Sequence, residues 1–231
     1  MYALSNNQIN IEIDGKPIQR VDAAKSLGLL IDEHLSWSKH MDHKSVKIPS
    51  AIGALKRVRP FTSERTALQI CQALILPHFD YCSSVWDELS VALSDKLQKL
   101  EKRAARVFIR SSYDARASFL LNRLRWDNLT TRRKKLKAIL MFKTINGLSP
   151  VYLQDLFNIR STMYNLRDSE IKLDLPKPRT NYRKRSFGYS GAVLWNSLPL
   201  RLRKLDSLGR FKGEIHRHYN NNQSGSHTAI L

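Results

Sequence analysis

His78, Asp80 and Cys82 are the side chains in this sequence that come nearest to a catalytic or metal-binding constellation. Imidazole, carboxylate and thiol can hold a transition metal or act as base and nucleophile. Alternation by two would send all three to one side of an extended segment. No second ligand pair and no activating Ser or His stands at a useful spacing, so the group reads as packing. His34, His40 and His43 match no metal motif and read as surface or capping histidines.

The cations form more regular patterns. Lys96, Lys99, Arg103, Arg106 and Arg110 step by three and four residues, beside an equally regular stripe of Leu93, Leu97, Leu100, Ala104 and Val107. Such a helix buries its apolar seam and offers the adjoining seam to a polyanion, or keeps it merely solvated. A second block, Arg132, Arg133, Lys134 and Lys135 with Lys137, points around its cylinder. Pairing along one helix face cannot offset all of it, so it suits anion contact, a nuclear localisation signal or a solvated helical turn. A third group, Lys177, Arg179, Arg183, Lys184 and Arg185 with Lys172, has only Asp174 against it and is interleaved with Tyr182, Phe187 and Tyr189. Cations mixed with rings suit structured or single-stranded RNA, unless the rings are core.

The whole chain shares this bias. Lys and Arg total 39 against 20 Asp and Glu in 231 residues, a net charge of +19. The expected partners are therefore nucleic acid first, then anionic membrane and other polyanions. At 42% hydrophobic the chain can bury a core. Two cysteines, Cys71 and Cys82, make neither a disulfide framework nor a four-ligand zinc site, which fits a reducing compartment. No apolar run, 73 to 76 included, comes near the length of a membrane span, and no signal-peptide pattern opens the chain. The expectation is an intracellular protein of nucleus or cytoplasm with no membrane role.

These patches need elements to position them. Ile9, Ile11 and Ile13 alternate as a strand before an Asp14-Gly15 turn, and 26 to 31 is a second β-prone run. Residues 38 to 58 read as a helix on Met41, Ile48, Ile52 and Leu55, with Pro49 expected to kink or split it. Thr62 or Ser63 caps a helix on Ala67, Leu68, Cys71, Leu74 and Ile75 that Pro77 should stop. A short helix at 117 to 125 precedes a longer one at 129 to 146, with Asp127 as its N-cap and Leu136, Ile139, Leu140 and Phe142 buried. Strand-like pieces at 171 to 175 and 186 to 189 flank a basic turn, Trp195 reads as core, and the Asn-rich tail from 220 to 231 should be disordered.

Several strings resemble the carboxy-terminal part of the reverse transcriptases of non-LTR (LINE-type, jockey-like) retrotransposons. They are Lys25-Ser26-Leu27-Gly28 through Asp32, His34-Leu35-Ser36-Trp37, Lys56-Arg57-Val58-Arg59-Pro60-Phe61, and 76 to 82 with Val85-Trp86. Leu97-Gln98-Lys99-Leu100 through Arg106, 146 to 150, 175 to 182 and 189 to 199 continue the series. The resemblance implies that Ser26, Leu27 and Gly28 belong to the primer-grip hairpin and that the helices after it correspond to the thumb, which grips template and primer. It also implies catalytic Asp-Asp carboxylates holding Mg2+ on a palm strand before that hairpin. No Asp-Asp pair occurs in these 231 residues, so this chain by itself is expected to have no catalytic residues, no cofactor and no polymerase activity.

The expected fold is mainly α with small β elements: a β-hairpin region at 1–35, a three-helix thumb-like bundle at 36–111, further helices at 112–160, a basic aromatic β and loop region at 161–219, and a tail at 220–231. The expected function is binding of RNA or an RNA-DNA duplex, with the rest of the reverse transcriptase as a further partner. The alternatives are a portion of an active polymerase, or a decayed or domesticated fragment that binds protein.

Overall fold

The computed structural model describes residues 11–112, 116–160 and 170–225. It is mainly helical with two small antiparallel sheets, as the sequence implies. Asp14 and Gly15 both take positive φ, the backbone a two-residue hairpin turn requires, and join β1 (Glu12–Ile13) to β2 (Lys16–Pro17). Ile9 lies outside the described residues. The run at 26 to 31 is not one strand, because Leu27 and Gly28 also take positive φ and form the turn between β3 (Ala23–Ser26) and β4 (Leu29–Asp32). Tyr81 holds this turn from a distance in sequence: its hydroxyl donates to the Leu27 carbonyl at 2.7 Å, and its ring would lie 3.5 Å from a Cβ placed on Gly28.

Asp32 ends β4 and organises the next five residues. Its carboxylate accepts from the amides of His34 (3.2 Å), Ser36 (2.9 Å) and Trp37 (2.8 Å). Burial alone would raise its pKa; the bonds to Ser36, Trp37 and His34 outweigh that and hold the carboxyl below its usual range. Trp37 is thereby delivered into the core at the start of α1 (Ser38–Val58).

The first core lies among α1, α2 (Glu64–Ile70), a π-helical segment Cys71–Ile75, α3 (Leu76–Asp80) and α4 (Val91–Ile109), and includes Leu29, Trp37, Met41, Ile52, Phe79 and Trp86. Pro49 does not divide α1, because Ile48, Ile52 and Leu55 on its buried face keep both halves on that core. Ser63, rather than Thr62, caps α2 by accepting from the Thr66 amide at 3.1 Å. Pro77 does not stop the chain's helical course either. It sits in the first turn of α3, where a missing N–H costs little, and the preceding π segment turns Leu74 outward to 52% exposure.

His40 is buried at 1% exposure, not a surface or capping residue. Its Nδ1 faces the Leu30 amide at 3.4 Å, and its ring lies beside those of Trp37 and Trp86. Burial first, then the charges of Lys44 and His43, push the imidazole down to about 4, so it is a neutral core residue at physiological pH. Lys44, one turn on, donates to the His78 carbonyl and sits 4.9 Å from the Trp86 ring centre.

The short α5 (Ala117–Leu124) leads into α6 (Leu129–Ile145), α7 (Val151–Gln154) and α8 (Asn181–Arg185) follow, and the second core forms around α6, α9 (Phe187–Ser197), α10 (Leu200–Arg203) and α11 (Leu208–Gly225). Phe211 stacks on Phe142 at 4.5 Å and lies 6.1 Å from Trp195, which is fully buried as expected. Asn128, not Asp127, caps α6 by accepting from the Thr131 amide at 2.8 Å. The buried face of α6 is Ala138, Met141 and Phe142, whereas Leu136, Ile139 and Leu140 are only half buried and line a pocket of about 250 Å³ with Asp80, Cys82 and Ser83.

Two further expectations fail in this half. The piece at 171 to 175 makes only an isolated bridge, Ile159 to Leu173, and 186 to 189 opens helix α9. Leu173 instead finds its partner in a side chain, since Asn196 donates to its carbonyl and accepts from its amide, both at 2.8 Å. The tail is ordered at its start: α11 runs to Gly225, and the Asn220 side chain accepts from Lys135 at 2.8 Å. The remainder of the tail lies outside the described residues.

Gly191 allows α9 to approach α6, because a Cβ there would lie 2.6 Å from the sulfur of the fully buried Met141. Gly191→Ala should therefore destabilise the fold by about 1–3 kcal/mol despite its better helix propensity, measured by urea unfolding. An unchanged or higher stability would show that Met141 can swing aside.

Candidate nucleic-acid interface

The apolar seam of α4 faces the first core as its spacing requires: Leu97 and Ala104 are buried, and Leu93, Leu100 and Val107 pack against the same cluster. Ser90 starts the helix by accepting from the Leu93 amide at 3.4 Å, and Arg110 ends it in the left-handed conformation. The neighbouring seam is left outside. Lys96, Lys99, Arg103 and Arg110 are exposed and Arg106 is half buried. Lys96 reaches Asp42 of α1 at 2.9 Å, but both side chains remain well solvated, so that pair holds little energy. Among the described residues, no ion pair engages Lys99, Arg103 or Arg110.

The third cationic group is also outside. Thr180 caps a short helix, α8 (Asn181–Arg185), and Lys177, Arg179, Arg183, Lys184 and Arg185 are all exposed. Tyr182 is exposed at 51%, while Phe187 and Tyr189 are half buried in the start of α9. The expected basic turn is thus a helical turn presenting one ring and three cations to solvent, with Lys177 and Arg179 exposed on the segment before it.

The block at the start of α6, expected to suit contact with outside anions because pairing along one helix face cannot offset it, behaves differently: most of its charges meet carboxylates from other elements. Arg132 makes two bonds of 2.5 Å to Asp80 at the end of α3. Arg133 and Lys137 converge on Asp87 at 3.1 and 2.6 Å, and Lys135 meets Asp127 at 2.7 Å. Arg133, Lys135 and Lys137 are each about 3% exposed, so only Lys134 faces outward. The anions come from other elements, where helical periodicity cannot look for them. Asp80, one of the three residues first considered for chemistry, therefore closes an ion pair. No cluster of three His, Cys, Asp or Glu able to hold a metal occurs among the described residues.

Arg59 also has an internal role. Its guanidinium donates to the Phe108 carbonyl at 2.7 Å and the Thr62 carbonyl at 3.1 Å, tying the end of α1 to the end of α4. Beneath the α4 cations lies Glu101, fully buried, which accepts from Gln98 at 2.5 Å. Gln98 in turn accepts from the Leu129 amide at 2.9 Å. Burial raises the Glu101 carboxyl to about 7, against the opposing influence of Gln98 and Arg132.

Two measurements separate cohesive from exposed charge. Asp87→Asn leaves two buried cations without their carboxylate and should cost about 3–5 kcal/mol in urea unfolding. Lys134→Glu should stay within about 0.5 kcal/mol of the parent. Equal small effects would mean that the buried pairs contribute no cohesion. Glu101 has a folded pKa above its ordinary value, so its contribution is present at low pH and is lost as pH rises through about 7. Glu101→Gln, neutral throughout, should therefore gain melting temperature relative to the parent between pH 5 and pH 8. A constant difference across that window would show that Glu101 ionises as it does in the unfolded chain.

Among known proteins, the chain is similar to the probable RNA-directed DNA polymerase from transposon X-element of Drosophila melanogaster, 24% identical over 145 residues. The match covers 62% of this chain and 15% of that protein. No protein-family profile matches the chain, and no solved structure matches it. Among the described residues, no helix is long and apolar enough to cross a membrane. The similarity supports a relationship to reverse transcriptases.

Proposed function

We propose that this chain is a carboxy-terminal, thumb-like portion of a retrotransposon RNA-directed DNA polymerase, and that its own activity is binding of RNA or an RNA-DNA duplex through the phosphate backbone. The observation that carries the reading is the division of cations. Arg132, Arg133, Lys135 and Lys137 of α6 are consumed internally, whereas Lys99, Arg103 and Arg110 of α4 and Arg183, Lys184 and Arg185 of α8 stand in solvent on ordered helices. With 39 Lys and Arg against 20 Asp and Glu, a net charge of +19 remains without internal anions to balance it. The relationship to a transposon polymerase supports nucleic acid as the partner class.

Residues one helical turn apart on α4 can meet neighbouring phosphates without reading bases, so affinity should depend on salt far more than on sequence. The turn Ser26-Leu27-Gly28, held by Tyr81, projects Leu27 at 86% exposure and is the part of this reading that would border the primer end. Mg2+ belongs to the catalytic carboxylates of the larger polymerase and not to this chain.

The test is binding of the purified chain to a fluorescent RNA-DNA hybrid across a salt series. Contact with about six phosphates gives a log-log slope near −5. Reversing Lys99, Arg103 and Arg110 to Glu together should weaken binding at least tenfold and reduce the slope by about 3, with unfolding midpoint little changed. Binding that is flat in salt, or indifferent to the triple reversal, would remove the α4 face from the interface and favour a protein-binding role.

A further inference from the structure

A cavity lies away from the α4 face, between α10 and α11. It has a volume of about 630 Å³ and is lined by Arg201, Leu202, Leu205, Gly209, Arg210, Gly213, Glu214 and Arg217. We propose that it is a binding site for an unpaired nucleotide in a single-stranded segment of nucleic acid, an inference that rests on the nucleic-acid reading above and adds to it a preference for strand ends.

The lining divides into three parts with different chemistry. Leu205, half buried and backed by the fully buried Leu202, supplies an apolar floor. Gly209 and Gly213, one turn apart on α11, supply a wall without side chains. Arg201, Arg210 and Arg217 supply a cationic rim, and Glu214 accepts from Arg201 at 3.2 Å and from Arg217. The volume falls in the range of small-ligand sites.

The glycines point to an occupant. A Cβ added at Gly213 meets no atom within 4 Å, and one at Gly209 meets only the Ser207 hydroxyl at 3.7 Å. Neither glycine is therefore required by packing within the protein. Both weaken the helix relative to alanine, and their effect is to keep the wall of the cavity open.

The chemistry of the rim and floor selects the ligand class. An isolated phosphate would engage the guanidiniums but leave the apolar floor uncovered. A planar base can lie on the floor and against a guanidinium plane, while its phosphates reach the other two arginines. Glu214, fixed by two arginines, is an acceptor for base N–H groups and repels phosphate toward the rim. A base stacked within a duplex cannot enter, so the site requires a single-stranded segment or end.

The test uses the full chain and two RNA-DNA hybrids of equal duplex length, one blunt and one with a five-nucleotide single-stranded overhang. The parent should bind the overhang substrate at least fivefold more tightly. Gly213→Leu, which fills the cavity while improving helix propensity, should abolish that preference, keep blunt-duplex affinity and leave the melting temperature unchanged or higher. Arg210→Glu, whose side chain has only a 4.0 Å approach to Asp206, should do the same without altering the fold. An overhang preference that is absent in the parent, or untouched by both variants, would overturn the proposal. So would saturable binding of a glutamate-rich peptide that Gly213→Leu removes while nucleotide binding persists. In either case, salt-steep blunt-duplex binding that the α4 reversal abolishes would leave the broader nucleic-acid reading standing, whereas no binding to either hybrid would end both.

Discussion

The ion pairs at the start of α6 are the constraint on which the arrangement of the two cores depends. Arg132 reaches back to the end of α3, and Arg133 with Lys137 gathers Asp87 from the loop that follows it. Lys137 also approaches Glu88 and the Ser190 hydroxyl of α9, and Lys135 joins Asp127 to Asn220 of α11. One helix thus bonds to elements on both sides of itself. Charges this deeply buried are costly unless every partner is in place, so the network tolerates one relative placement of its elements and penalises others.

Trp86 ties that network to the first core. Its indole N–H donates to the Tyr81 carbonyl at 2.9 Å, and the cations of Lys44 and Arg133 lie 4.9 and 5.8 Å from its ring. Tyr81 itself holds the Leu27-Gly28 turn. A single path of contacts therefore runs from the second hairpin through the loop after α3 to the inter-core ion pairs. In the same way, Trp195 donates to the Ile171 carbonyl at 2.8 Å while Asn196 pairs with Leu173, so the string around 189 to 199 is first of all a device for closing the second core.

Removing these internal cations from the surface sharpens the electrostatic character of what is left. Exposed cations occur along much of the described chain, and on α4, the 177 to 185 segment and the rim of the α10 and α11 cavity several of them stand together. Rigid helical spacing sets the separation between charges, which is what lets a phosphate chain find several of them at once.

The sequence by itself determined the features carried by local chemistry. The 3.6-residue period placed α4 and its two seams, the Asp14-Gly15 pair marked a turn, and Thr62 or Ser63 marked the start of α2. It determined also that Trp195 is core and that the chain is mainly helical. What only the tertiary structure decided concerns partners distant in sequence. Periodicity along α6 shows four adjacent cations but not Asp80, 52 residues away from Arg132, which turns an apparent anion-binding block into cohesion. It shows His40 as an ordinary polar residue but not the tryptophans that enclose it, and an Asn-rich tail but not the α6 surface that holds Asn220. Arg201 sits on a different helix from Arg210 and Arg217, so no spacing rule could assemble the cavity they share. Local patterns fix which face a helix would bury; burial of a charge depends on whether another element brings its counterion, and that is settled only when the chain closes on itself.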